Sequence, residues 1–139
     1  MHKPKTITRT FVRSEKTTND YRAYRQGAES KGMSADPFKD RDLLAIKSFT
    51  HWLIVPNTFP YDAIADVSHM LLTKRDVVFD WSLLTKDELA EFKILKETYL
   101  KDTYDLLWEN LPNGRSIPGH FHLHLLTLKR ESVANTNIV

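Results

Sequence analysis

The sequence predicts an α+β domain, a β-sheet packed on one long helix with a short helix near the N-terminus, and three observations carry that expectation. The first is the strict alternation in Gly119-His120-Phe121-His122-Leu123-His124-Leu125-Leu126, whose period of two marks a strand with two unlike faces. The second is a set of β-rich runs: Leu43 to Phe49, then His51-Trp52-Leu53-Ile54-Val55, then Ser68 to Lys74. The third is Thr85-Lys86-Asp87-Glu88, a capping box in which Thr85 caps and Glu88 reaches back. It opens a helix predicted over 85–111, with Leu89, Phe92, Leu95, Tyr99, Leu106 and Leu107 near helical spacing. At 139 residues the chain has the size of one domain with a single core.

Residues 1–35 read as a basic N-terminal arm that lies along the body. Its first 18 residues are polar and Thr-rich apart from Phe11-Val12. Asn19-Asp20 are placed to cap a short helix through Tyr21, Arg22, Tyr24, Arg25 and Ala28, stopping at Gly32. Residues 36–130 form the main domain. Within it Pro56, Pro60 and the polar residues between them make a turn, Asp62 to Val67 a short helical piece, and Pro112-Asn113-Gly114 the end of the long helix. Residues 131–139 are a polar tail.

The net charge is +2, but the basic residues crowd the first quarter: Lys3, Lys5, Arg9, Arg13, Lys16, Arg22, Arg25 and Lys31 face only Glu15, Asp20 and Glu29. Such an arm can meet nucleic acid or an acidic partner, though a solvated extension is the commoner outcome. The absence of cysteine excludes disulfides, thiolate nucleophiles and Cys-based zinc sites. No stretch approaches a membrane span and no apolar h-region follows Met1-His2-Lys3-Pro4, so a cytoplasmic location is the expectation. The chain has four glycines and carries no P-loop, no G-x-G-x-x-G and no G-x-S-x-G, which leaves P-loop NTPases, Rossmann enzymes and serine hydrolases without support.

On a strand, His120, His122 and His124 share one face and Phe121, Leu123 and Leu125 the other. The apolar face is expected to pack on the core while the imidazoles look out. Neighbouring imidazoles then stand about 6.5 to 7 Å apart at Cα, at a rise of roughly 3.3 Å per residue, which brackets a phosphate-sized group. Imidazole serves near neutral pH as nucleophile, general acid or base, hydrogen-bond donor or metal ligand. Two other readings stand beside a catalytic one: a His-rich face turned to solvent, and a metal-dependent His cluster in which the three imidazoles are ligands completed by a carboxylate from elsewhere.

His120 to Leu126 fills every position of the His-φ-His-φ-His-φ-φ signature, with φ apolar, and so resembles the histidine triad (HIT-like) superfamily. Upstream, His51 to Tyr61 followed by Ser68-His69-Met70-Leu71-Leu72-Thr73-Lys74-Arg75 is similar to the family's Asn-x-x-Pro segment, Gly-His step, apolar strand and basic turn. The resemblance covers about residues 36 to 130. It implies a five-stranded, mostly antiparallel sheet carrying the triad near its centre.

It also implies a nucleotide hydrolase or nucleotidyltransferase. His122 would attack the α-phosphorus of a nucleoside polyphosphate, phosphoramidate or nucleotide sugar, forming a covalent nucleotidyl-histidine. His120 and His124 would contact phosphate oxygens and the leaving group, with His124 the preferred leaving-group contact and a structural hydrogen bond the alternative for His120. His69 would approach the triad from a neighbouring strand, or else be a satisfied core histidine. His51 reads as structural.

In the same resemblance Asn57 meets the nucleoside or simply forms the turn, Phe59 and Tyr61 line the base pocket, and Asn113, Arg115 and Ser116 lie in the nucleotide-binding approach to the triad. The chain departs from the family's pattern in three places. Ser68 replaces the glycine, Arg115 stands where a neutral amide is common, and Ser116 sits four residues before His120 rather than three. Asp36 and Lys39 occupy the positions of a Cys-x-x-Cys-like pair, so the zinc site of many relatives is not expected. The resemblance implies no required cofactor, with Mg²⁺ accompanying a polyphosphate substrate, and a homodimer. A non-catalytic nucleotide-binding protein of the same fold is the remaining alternative.

Overall fold

The structure, a computed structural model, describes residues 11–30, 41–75, 80–111 and 121–130. It is an α+β domain built on one five-stranded sheet. In chain order the elements are helix α1 (Glu15–Ser30), a single helical turn α2 (Arg41–Leu44), strands β1 (Lys47–Ser48), β2 (Trp52–Pro56) and β3 (Ala65–Thr73). A 3₁₀ turn (Trp81–Leu83), helix α3 (Lys86–Leu95), a π turn (Lys96–Leu100), a short α4 (Lys101–Thr103), and strands β4 (Leu106–Trp108) and β5 (His122–Leu128) follow. The strand order is β1-β2-β3-β5-β4 and every neighbouring pair is antiparallel. Among the described residues no helix is long and apolar enough to cross a membrane.

Directly paired residues of an antiparallel sheet point to the same side, so the register assigns the faces. Leu71 pairs with Ile54 and Leu123, and His69 with Leu125. This is the helix face, where Trp52, Ile54, Leu71, Leu123 and Leu125 pack with Phe92, Leu95, Leu100, Tyr104 and Phe121. The other face carries Met70 opposite His124 and Leu72 opposite His122. It is buried as well, through one cluster of Leu53, Val55, Met70 and Leu72 and another of Val12, Tyr61, Ala65 and Leu126. A register shift between Ala65 and Val67 inserts Asp66 as a bulge, which lets Ala65 and Ser68 share this second face despite their odd spacing.

The capping box holds as the sequence predicts. The Thr85 hydroxyl accepts from Glu88 N–H at 3.1 Å, and the Glu88 carboxylate accepts from Thr85 N–H at 2.8 Å. Glu88 also takes both forks of Arg75, at 2.7 and 2.8 Å. The guanidinium holds its carboxyl below the usual carboxylate range, against a burial that alone would raise it. The buried positions of the helical stretch have a gap of five between Leu95 and Leu100, which a regular helix would send to different faces. The π turn absorbs it: Lys101 N–H bonds the Lys96 carbonyl, i to i+5, and Leu95, Leu100 and Tyr104 all reach the core.

Four sequence expectations are corrected. The helix predicted to 111 ends at Thr103, and Leu106 and Leu107 belong to β4. Tyr104 turns to extended backbone, after which Asp105 N–H bonds Leu126 O and the Asp105 carboxylate accepts from Leu128 N–H and Arg130. Pairing with β5 thus overrides a helical periodicity that those leucines also fit.

Leu43 and Leu44 fall in the turn α2, not in a strand. The strand expected from Ser68 starts at Ala65, and only a turn precedes it. The N-terminal helix begins at Glu15, so Asn19 and Asp20 lie inside it. Its cap is Ser14, whose hydroxyl accepts from Thr17 N–H at 3.2 Å. The Asp62 carboxylate in turn accepts from Ser14 N–H, the Ser14 hydroxyl and the Thr17 hydroxyl at 2.6–2.8 Å. That cluster ties α1 to the turn before β3.

Candidate functional site

Strand β5 runs between β3 and β4, so its backbone is paired on both sides and its side chains are fixed in direction. His122 and His124 lie on the face opposite α3, with ring centroids 5.2 Å apart. The expectation that they look out is corrected: they are 5% and 3% exposed. Tyr61 stacks on His124 and Met70 and Leu72 stand opposite the two histidines in the register, on a face that is itself packed. Burial sharpens what an imidazole can do, because charge interacts more strongly where water is excluded.

Around His124 stands a group of three side chains. The Tyr61 ring stacks on it, with centroids 4.5 Å apart and planes 20° from parallel, and the Tyr61 hydroxyl lies 3.1 Å from His124 Nε2. Asn110 Nδ2 donates to the Tyr61 hydroxyl at 3.0 Å and lies 3.4 Å from the same Nε2. Trp108 Nε1–H donates to Asn110 Oδ1 at 2.8 Å. Trp108 is the β4 residue paired with His124, so the sheet itself delivers this indole to the imidazole face.

Tyr61 is placed by two further contacts. Its N–H donates to the Ser68 hydroxyl at 3.0 Å, which gives that serine a definite task. Its ring also receives the Arg13 guanidinium, with Cζ 5.0 Å from the centroid. Arg13 lies 4.8 Å from the Tyr21 ring as well, donates from Nε to the Phe59 carbonyl at 2.7 Å, and is 5% exposed. This member of the basic arm is therefore part of the packed body.

His69 is on β3, the strand next to β5, but on the face opposite His122 and His124. Its Nδ1 lies 2.7 Å from the Tyr104 hydroxyl, and its register partner is Leu125 in the helix-side core. Burial pushes the His69 imidazole below its ordinary value, and burial together with Tyr99 pushes the Tyr104 phenol up to about 12. The sheet therefore does not bring His69 together with His122 and His124.

Asn57 makes the turn: its Oδ1 accepts from Phe59 N–H at 3.1 Å. Its Nδ2 also stands 3.5 Å from the Ser68 hydroxyl. Phe59 packs between Tyr21 and Tyr24 of α1, at 5.1 and 5.3 Å between centroids. His51 N–H donates to Glu91 at 2.6 Å in the β1–β2 turn. His120, Asn113, Arg115 and Ser116, like Asp36 and Lys39, lie outside the described residues.

Sequence reasoning did not pick out Asn110, Trp108 or Arg13. The first two were hidden in the stretch read as helix, and Arg13 in the stretch read as arm. A groove of about 220 Å³ opens elsewhere, beside Tyr104 and between Leu100, Lys101 and Leu107. It touches neither imidazole of β5. Compared with known proteins, the chain matches no protein-family model and no curated protein.

Proposed function

We propose that this protein is a histidine triad nucleotide hydrolase or nucleotidyltransferase that works through a covalent nucleotidyl-histidine. The observation that carries the reading is the pair His122 and His124, neighbours on one face of an internal strand, in a sequence that fills the whole His-φ-His-φ-His-φ-φ pattern. In this reading a neutral His122 nitrogen attacks the α-phosphorus. The bond to the leaving group breaks with its electron pair, and a flanking imidazole, His124 or His120, donates a hydrogen bond to the leaving atom, which takes its proton from solvent. Water or another acceptor then attacks the same phosphorus and loses its proton to solvent, the phosphorus–nitrogen bond breaks, and the nucleoside monophosphate leaves with the imidazole restored.

Substrate classes are a nucleoside polyphosphate, a phosphoramidate or a nucleotide sugar. The chemistry requires no metal, and Mg²⁺ can accompany a polyphosphate. His69 has no part in it, because its face of the sheet is packed against the helical layer. The test is a screen of adenylyl and guanylyl polyphosphates, phosphoramidates and nucleotide sugars for release of the monophosphate, with His122→Ala alongside. Release by the wild type and loss in the variant support the reading. Equal release by both, or none from any of the three classes, contradicts it.

A further inference from the structure

We infer that Trp108, Asn110 and Tyr61 form a one-way chain of hydrogen-bond donors that fixes His124 as the neutral Nδ1–H tautomer, making them positioning residues for that histidine. The direction follows from what each group is able to give. An indole Nε1–H is a donor only, so the oxygen of the Asn110 amide must face Trp108, 2.8 Å away. The amide nitrogen therefore faces Tyr61 and donates to its hydroxyl oxygen at 3.0 Å. A phenol has one hydrogen, and the ring nitrogen within its reach is His124 Nε2, at 3.1 Å. Asn110 Nδ2, which has no lone pair to offer, also faces Nε2 at 3.4 Å.

Two donors thus converge on Nε2 and make it an acceptor. The ring proton belongs on Nδ1, the tautomer an isolated imidazole disfavours, so its population reports the chain directly. The fixed guanidinium of Arg13 over the Tyr61 ring further opposes a positive imidazole stacked on that same ring. For the reaction proposed above, on which this part of the inference rests, Nδ1–H is then the hydrogen-bond donor that His124 turns to the phosphate oxygens or the leaving group. The tautomer itself does not depend on that reading.

The test is nitrogen NMR of the imidazole rings in the full chain labelled with ¹⁵N-histidine, with His124 assigned by the signals lost in His124→Gln. The expected wild-type result is an acceptor-type Nε2 and a protonated Nδ1 for His124. Asn110→Asp replaces the donating amide by an acceptor. The phenol should then turn to the carboxylate, and the proton of His124 should move to Nε2. A residue that merely filled space would predict no such inversion.

A protonated Nε2 in the wild type overturns the inference whether or not the variant folds. An unchanged tautomer in folded Asn110→Asp also overturns it. Fixed Nδ1–H in a protein that releases no nucleoside monophosphate would leave the chain of donors standing and remove the reaction.

Discussion

Two histidines of this sheet, half-buried His69 and buried His124, each meet a tyrosine, and the two pairs differ in what lies behind the tyrosine. His69 and Tyr104 meet edge-on at 5.6 Å among the apolar residues of the helix face. Their hydrogen bond closes on itself: a neutral phenol satisfies a neutral imidazole, and burial keeps both uncharged. His124 and Tyr61 meet as a stack at 4.5 Å on the other face, and there Tyr61 is itself held, its phenol by Asn110 and Arg13 and its backbone N–H by the Ser68 hydroxyl. The first pair satisfies buried polar groups. The second orients one, beside another imidazole, which is how a site for chemistry differs from a core that happens to contain a histidine.

The largest expected effect separates the two faces. His122→Ala should lower the rate of nucleoside monophosphate release by about 10³-fold or more, as removal of a nucleophile does, whereas His69→Phe should leave the rate within about twofold. Steady-state release assays on both variants check this. A comparable loss in each would erase the distinction between the faces.

The tyrosines sharpen the comparison. Tyr61→Phe keeps the stacked ring and removes the hydroxyl, so kcat should fall about 10- to 100-fold, the range seen when a supporting hydrogen bond is lost behind a working residue. Tyr104→Phe should do the opposite, leaving kcat unchanged and costing about 1 kcal/mol of stability, the typical worth of one hydrogen bond. Measuring kcat beside urea unfolding for both variants decides it.

A smaller effect tests whether α1 belongs to the imidazole face. Asp62 receives three hydrogen bonds from Ser14 and Thr17. Burial alone would raise its carboxyl, but those bonds outweigh it and hold the group below the usual range. Asp62→Ala should cost about 1 kcal/mol, as loss of a helix-end carboxylate does, with faster amide exchange in 15–30 than in 86–95.

The smallest effect is in the pH profile. Because burial holds folded His69 below its ordinary 6.5, the unfolded chain binds that proton first as pH falls. The stability tied to its neutrality is complete above about pH 6.5 and is lost as pH drops toward the lower folded value. His69→Phe should therefore show a shallower fall in stability between about pH 6.5 and 5 than the wild type, measured by urea midpoints across that range.

What was legible in the sequence was local. The alternation from His120 to Leu126 predicted a strand and put Leu123 and Leu125 on the core side, where they are. The capping box placed the start of the long helix at the right residue. What was not legible depended on partners distant along the chain. Leu106 and Leu107 fit a helix as well as a strand, and β4 exists because Leu126 and Leu125 are opposite them. Ser14 caps α1 with the help of a carboxylate 48 residues away.

The imidazoles were expected in solvent because period two tells which residues share a face, not what covers it. The same limit hid the place of His69: sequence likeness set it one strand from the triad, and only the register, His69 opposite Leu125 and Met70 opposite His124, shows that it faces the other way.

The central claim is that β5 does its chemistry through the imidazole face and that His122 is the atom-bearing residue. The most direct test is brief incubation with an α-³²P-labelled nucleotide substrate, denaturation at alkaline pH, where phosphorus–nitrogen bonds survive, and measurement of label left on the protein. Label on the wild type and on His69→Phe, and none on His122→Ala, is the predicted result. Label that persists in His122→Ala, or turnover by the wild type with no trapped label at any time of quenching, would contradict it.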